Sequence, residues 1–227
     1  MSRRAPSGSR RGASVRVKTA RGRKPSSTRW LQRQLNDPYV QAAQDAGYRS
    51  RAAFKLIELD ARFGLFKGAK RVLDLGAAPG GWSQVALERL APGAVVVAVD
   101  VAELEPLAGV SKLQLDALDR ESLPAMQAAL GRQADLVLSD IAAPSTGHAG
   151  TDHIRVMALC AAALDIAEVI LAADGAFVAK VLKGGTERQL LERLKRGFAK
   201  VRHAKPPASR ADSAEVYVVA QGFRGAP

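Results

Sequence analysis

The segment Val72-Leu73-Asp74-Leu75-Gly76-Ala77-Ala78-Pro79-Gly80-Gly81-Trp82 reads as a short apolar strand, a turn of small residues and the start of a helix. Glycines in such a turn let a ligand approach the backbone and supply conformations closed to other residues. Upstream, residues 50–62 carry a helical pattern. Downstream, candidate strands at 95–100, 112–115, 135–139 and 176–182 alternate with candidate helices at 81–90, 121–131, 152–172 and 186–197. This alternation, with 71–75 as the first strand, predicts a parallel sheet covered by helices. The order changes at the end of the chain. Residues 199–203 and 215–220 both read as strands, no helix fits the link containing Pro206 and Pro207, and an antiparallel hairpin at one edge is expected.

The turn narrows the ligand. A dinucleotide site prefers G-x-G-x-x-G, with a pyrophosphate seated on helix-terminal amides. Here Ala78 replaces the second glycine. Asp100 ends the second strand 24 residues after Gly76, where a carboxylate can accept from both hydroxyls of a ribose. Asp116 follows the third strand, placed to accept from an adenine amino group or, equally, to cap a turn. A ribose and an adenine without phosphate suit S-adenosylmethionine.

With 227 residues and 47% apolar content, the chain can bury one core. Its longest uncharged apolar run, 156–164, is far shorter than the roughly 20 residues of a membrane span. The formal charge of +12 is unevenly placed: eleven Lys or Arg and no acid precede Asp37, whereas the rest holds 23 bases and 22 acids. Residues 1–28 contain no Leu, Ile or Phe and read as a disordered basic arm, of the kind that contacts nucleic acid, leaving 29–227 as a single domain. The arm has no apolar stretch for a secretory signal, and only Val15 and Val17 to form an apolar face for a mitochondrial presequence. A lone Cys160 within an apolar stretch reads as a buried structural thiol, and the three histidines lack zinc-site spacing, so no metal is expected.

Four separated ionisable residues stand out. Lys180 lies inside the apolar run Ala176-Phe177-Val178-Ala179-Lys180-Val181-Leu182, and Asp140 follows the apolar strand Leu136-Val137-Leu138-Ser139. A lysine in such a strand needs a partner or a task; a structural Lys–Asp pair and a catalytic role both satisfy that demand. Lys55, in a helical pattern, and Glu215, opening the last strand, each read singly as solvated charges.

Taken with Ser27-Thr28-Arg29-Trp30-Leu31, Asp37-Pro38-Tyr39-Val40, Tyr48-Arg49-Ser50-Arg51-Ala52-Ala53-Phe54-Lys55-Leu56 and Ser209-Arg210-Ala211-Asp212-Ser213-Ala214-Glu215-Val216-Tyr217, these motifs resemble the FtsJ/RrmJ family of ribosomal RNA ribose 2′-O-methyltransferases over about residues 28–222. The resemblance implies a Rossmann-like methyltransferase fold, with a seven-stranded, mostly parallel sheet and an antiparallel last strand. It implies a catalytic tetrad at Lys55, Asp140, Lys180 and Glu215. S-adenosylmethionine would be bound by Gly76, Gly80, Trp82, Asp100, Asp116 and Asp140, and Lys180 would accept the proton of the ribose hydroxyl. The implied substrate is a uridine in the A loop of 23S ribosomal RNA within the large ribosomal subunit, modified by a cytoplasmic monomer. Arg49, Arg51, Arg62, Lys67, Lys70 and Arg71 are candidates to hold its phosphates. One stretch departs from the family pattern: after Asp140 the chain reads Ile141-Ala142-Ala143-Pro144-Ser145, where bacterial members carry Met-Ala-Pro-Asn. A transfer RNA methyltransferase, a nicotinamide-dependent oxidoreductase and a non-catalytic ribosome-assembly module are the competing readings. Ala78 weighs against the second, and the intact tetrad against the third.

Overall fold

A computed structural model describes residues 25–182 and 188–225. Its strands are β1 (Arg71–Leu75), β2 (Val95–Asp100), β3 (Val110–Gln114), β4 (Ala134–Ser139), β5 (Leu171–Leu182), β6 (Phe198–Ala204) and β7 (Glu215–Phe223), in the spatial order β3-β2-β1-β4-β5-β7-β6. The first five pair in parallel, and β7 runs antiparallel between β5 and the edge strand β6. The mostly parallel sheet and the terminal hairpin expected from the sequence are both present.

The helices are α1 (Pro25–Leu35), α2 (Pro38–Ala46), α3 (Ala52–Phe63), α4 (Gly81–Arg89), α5 (Leu123–Leu130), α6 (Ala149–Ile170) and α7 (Arg188–Gly197). One face of the sheet is covered by α2, α3 and α4, which pack Ala43, Phe54, Ile57 and Val85 on Val72, Leu136, Leu138 and Val178. The other face is covered by α5, α6 and α7, which pack Met126, Leu164 and Leu194 on Leu73, Val137 and Phe177. Cys160 is buried in this second layer, and burial pushes its thiol up to about 12, as suits an inert structural side chain.

Three local differences from the sequence reading have physical causes. Helices α1 and α2 precede the first expected element. The second of them starts where the Asp37 carboxylate accepts from the Tyr39 amide, with Pro38 in the first turn, and stops at Gly47 in the left-handed conformation. Residues 25–28 are helical where the arm was expected to end; residues 1–24 lie outside the described chain. Strand β3 starts two residues early, because Gly109 turns at φ +85° and releases Val110 to pair with Val96. Asp116 therefore sits in the loop beyond the strand.

Candidate active site

Side chains alternate across a strand, so every second residue faces the same layer. Leu136 and Leu138 face the α3 side, and so does the next position in phase, Asp140. Val178 faces that side and brings Lys180 with it; Val219 does the same for Tyr217 and Glu215. Register completes the assembly, since Lys180 stands opposite Tyr217 and Leu182 opposite Glu215. Above them α3 supplies Lys55. The four residues singled out from the sequence thus meet beside the carboxyl ends of the parallel strands, where ligands of such sheets bind.

They form one hydrogen-bonded chain. The Lys55 Nζ donates to Glu215 Oε2 at 3.0 Å and to the Tyr217 hydroxyl at 3.2 Å. Tyr217 donates to Asp140 Oδ1 at 2.8 Å, and Lys180 Nζ donates to that same oxygen and to the Asp140 main-chain carbonyl, both at 2.9 Å. Lys55 and Lys180 are 6% and 7% exposed, so each amine is held by the protein rather than by solvent. Burial alone would raise the Asp140 carboxyl, but the charges of Lys180 and Lys55 and the hydrogen bonds from Lys180 and Tyr217 hold it below the usual carboxylate range. Burial, together with Asp140 and Glu215, keeps the Tyr217 phenol well above its ordinary value, so it remains a donor.

Tyr217 is the member that sequence reasoning missed. It stands two residues after Glu215 on β7, closing the Ser209–Tyr217 motif, and its ring packs on Trp82 at 5.6 Å between centroids. The hydroxyl nonetheless links the two ion pairs. Changing Tyr217→Phe removes that link and leaves buried partners short of one bond, a cost of about 1–2 kcal/mol. Urea unfolding is expected to show that loss, and kcat is expected to fall about tenfold as the amines lose their alignment.

A cavity of about 300 Å³ adjoins Asp140 and is lined by Gly76, Ala78, Asp100, Val101, Asp116, Leu118 and Ile141 among others. It contains three carboxylates and no base. Asp100 is oriented by the amides of Ala78 at 2.9 Å and Ala102 at 2.8 Å. Asp116 accepts from the Leu118 amide at 2.9 Å through one oxygen, so the turn-cap reading holds while the second oxygen stays available among the described residues. Val101, 66% exposed, and Leu118, 37% exposed, supply apolar lips suited to a flat base. At Gly76, φ is +72° and a Cβ would lie 2.8 Å from the Ile141 Cα, so only glycine fits. This set of acceptors suits a ligand with ribose hydroxyls and an adenine amine to donate but no phosphate, the chemistry of S-adenosylmethionine.

Of the six residues expected at that cofactor, Gly76, Asp100, Asp116 and Asp140 line the cavity, whereas Gly80 and Trp82 do not. Gly80 caps α4, and Trp82 is buried with its indole N–H donating to the Ala52 carbonyl at 2.8 Å. Among the described residues no group of three or more His, Cys, Asp or Glu is placed to hold a metal.

The basic residues proposed for phosphate contact divide in two. Arg51 pairs with Asp37 and donates to the Ala208 carbonyl, while Arg71 donates to the Leu130 carbonyl. Arg49 donates to the carbonyls of Pro79, Glu105 and Pro106 at 3.2, 2.8 and 2.7 Å, tying the Gly76–Gly80 turn to the loop after Asp100. These three serve the fold; Arg62, Lys67 and Lys70 are exposed. Replacing Arg49 with alanine unties both loops. Calorimetric titration with S-adenosylmethionine is expected to show about tenfold weaker binding, and kcat at saturation is expected to change little.

The sequence profile of the FtsJ-like methyltransferases matches residues 48–223. The chain is 56% identical over 225 residues to the ribosomal RNA large subunit methyltransferase E of Paramagnetospirillum magneticum, covering 97% of this chain and 92% of that protein. It is 60% identical over 225 residues to the protein of the same name in Rhodospirillum rubrum, covering 97% and 85%. Among solved structures, a Plasmodium falciparum protein assigned as a ribosomal RNA methyltransferase superposes with a TM-score of 0.70 at 30% identity, covering 78% of this chain and 100% of that one. Shared sequence over nearly the whole length and a shared sheet say the same thing as the tetrad: this chain belongs to the FtsJ-like methyltransferase family.

Proposed function

We propose that the chain transfers the methyl group of S-adenosylmethionine to the ribose 2′-hydroxyl of a uridine in the A loop of 23S ribosomal RNA, acting as a cytoplasmic monomer on the large ribosomal subunit. The observation that carries this reading is the pair of buried amines, Lys55 and Lys180, joined through Tyr217 and Asp140 at the mouth of a carboxylate-lined cavity. The name borne by the relatives at 56% and 60% identity supports ribosomal RNA of the large subunit as acceptor. The basic residues of the arm, residues 1–28, would add affinity for that polyanion from outside the methyltransferase domain.

When bound, the cofactor supplies an electrophilic methyl group, so the protein's tasks are alignment and proton handling. A neutral amine has two hydrogens and one lone pair. Once Lys180 has released one proton to solvent, the two acceptors on Asp140, its carbonyl and Oδ1, match its two remaining hydrogens and leave the lone pair for the hydroxyl proton. Lys55, anchored by Glu215, holds the ribose oxygen in place. Asp100 and Asp116 seat the ribose and the base of the cofactor. Incubation with methyl-labelled S-adenosylmethionine and, separately, large subunits, free ribosomal RNA and transfer RNA tests the reading. Label on a ribose of the large-subunit RNA is expected; label confined to transfer RNA, or none, overturns it.

A further inference from the structure

A second concave surface lies away from the tetrad. It is a cavity of about 350 Å³ lined by Arg62, Phe63, Lys200, Arg202 and Gln221. Three cations and an aromatic ring converge here without a carboxylate in the lining, and no ion pair joins any of the three to an acid among the described residues. The Arg62 guanidinium carbon lies 5.0 Å from the centroid of the Phe63 ring, which holds a planar cation at the rim. The Gln221 side chain donates to the Phe63 carbonyl at 3.1 Å and ties β7 to the end of α3. Lys200 and Arg202 alternate with Val201, which packs on the opposite layer, so both point to the α3 side, the side of the tetrad.

Resting on the reading above, we infer that this groove binds an unpaired nucleotide of the RNA, its phosphates on Lys200 and Arg202 and its base against the Arg62–Phe63 plane. Basic grooves with stacking platforms are the usual means of holding single-stranded RNA, and arginine planes accept unstacked bases as aromatic rings do. Position agrees with this role. Gln221 is four residues along β7 from Tyr217, about 13 Å at strand rise, and Arg62 is seven residues along α3 from Lys55, about 10 Å at helix rise. An RNA strand covers that span in a few nucleotides. The groove therefore takes RNA near the methylated residue but not the residue itself.

The test pairs the Lys200→Gln/Arg202→Gln double variant with Arg62→Gln, all at exposed positions. Anisotropy with a fluorescein-labelled single-stranded oligoribonucleotide is expected to show about tenfold weaker binding for the double variant and a salt slope smaller by about 1.4, two phosphate contacts at about 0.7 each. Arg62→Gln is expected to weaken binding with a smaller slope change. KM for RNA should rise, whereas kcat and S-adenosylmethionine affinity should not. Wild-type affinity and slope in both variants overturn the groove. So does aggregation of the double variant with unchanged affinity in the monomer, since lysine and arginine on an edge strand would then serve only to block edge pairing. A wild-type protein that methylates no RNA, but loses oligoribonucleotide binding with these substitutions, strikes the functional reading and upholds the groove. One that methylates RNA with the variants unimpaired does the reverse.

Discussion

Replacing Lys180 with methionine is expected to lower kcat for methyl transfer by about 10²–10⁴, the usual contribution of a positioned proton acceptor. Methionine keeps the length and apolar stem of lysine, so the strand between Ala179 and Val181 stays packed. Lys180→Arg is the sharper control. It retains a cation beside Asp140 but cannot give up its proton, and it is expected to be as inactive as the methionine variant. Cofactor affinity, read by calorimetry, should stay within a few-fold in both, because Asp100, Asp116 and the Gly76 turn are untouched. An active Lys180→Arg enzyme would sink the proton-acceptor role and leave Lys180 an electrostatic partner of Asp140.

Asp74→Asn is expected to make the protein more stable above neutral pH. Asp74 is fully buried in β1 beneath the cofactor turn, where the Ser83 hydroxyl donates to one carboxylate oxygen at 2.7 Å and the other has no hydrogen-bond partner. Burial raises its carboxyl to about 7, against the pull of the Ser83 hydrogen bond and with added repulsion from Asp140 and Asp100. The folded protein therefore keeps a proton that the unfolded chain has already lost between about pH 4 and pH 7. Over that window the Asp74 contribution falls as pH rises, by up to about 4 kcal/mol, and then stays level. Asparagine cannot ionise. Urea midpoints should put the variant level with or below the wild type at pH 5 and clearly above it at pH 8. Parallel midpoints at the two pH values would show that Asp74 does not titrate in this range.

The readable parts of this molecule are those written at one chemical period. Alternating apolar runs announced the strands, and a lysine that breaks one of them announced Lys180, since an amine at a buried phase of a strand is costly anywhere. The Asp37-Pro38 start and the Gly47 stop of α2 are an equally plain helix signal. Trp82 follows the Gly76–Gly80 turn in sequence, and the helix that starts there turns its ring into the core against Tyr217. Arg49, Arg51 and Arg71 looked like surface cations because a sequence shows charge and not the carbonyls or carboxylate that absorb it.

From chain order alone came the α/β class, the terminal hairpin, the phosphate-free cofactor turn and the four ionisable residues. A period of two, or one of 3.6, records which face a residue occupies whatever the rest of the chain does. Neighbours across elements are another matter. Lys55 meets Glu215 across 160 residues and Tyr217 across 162, and Lys180 meets Asp140 across 40. Those meetings depend on strand register and on where α3 packs, which many weak contacts decide together. The central place of Tyr217, the unpartnered oxygen of Asp74 and the basic groove between α3 and the edge strand exist only once that packing is complete.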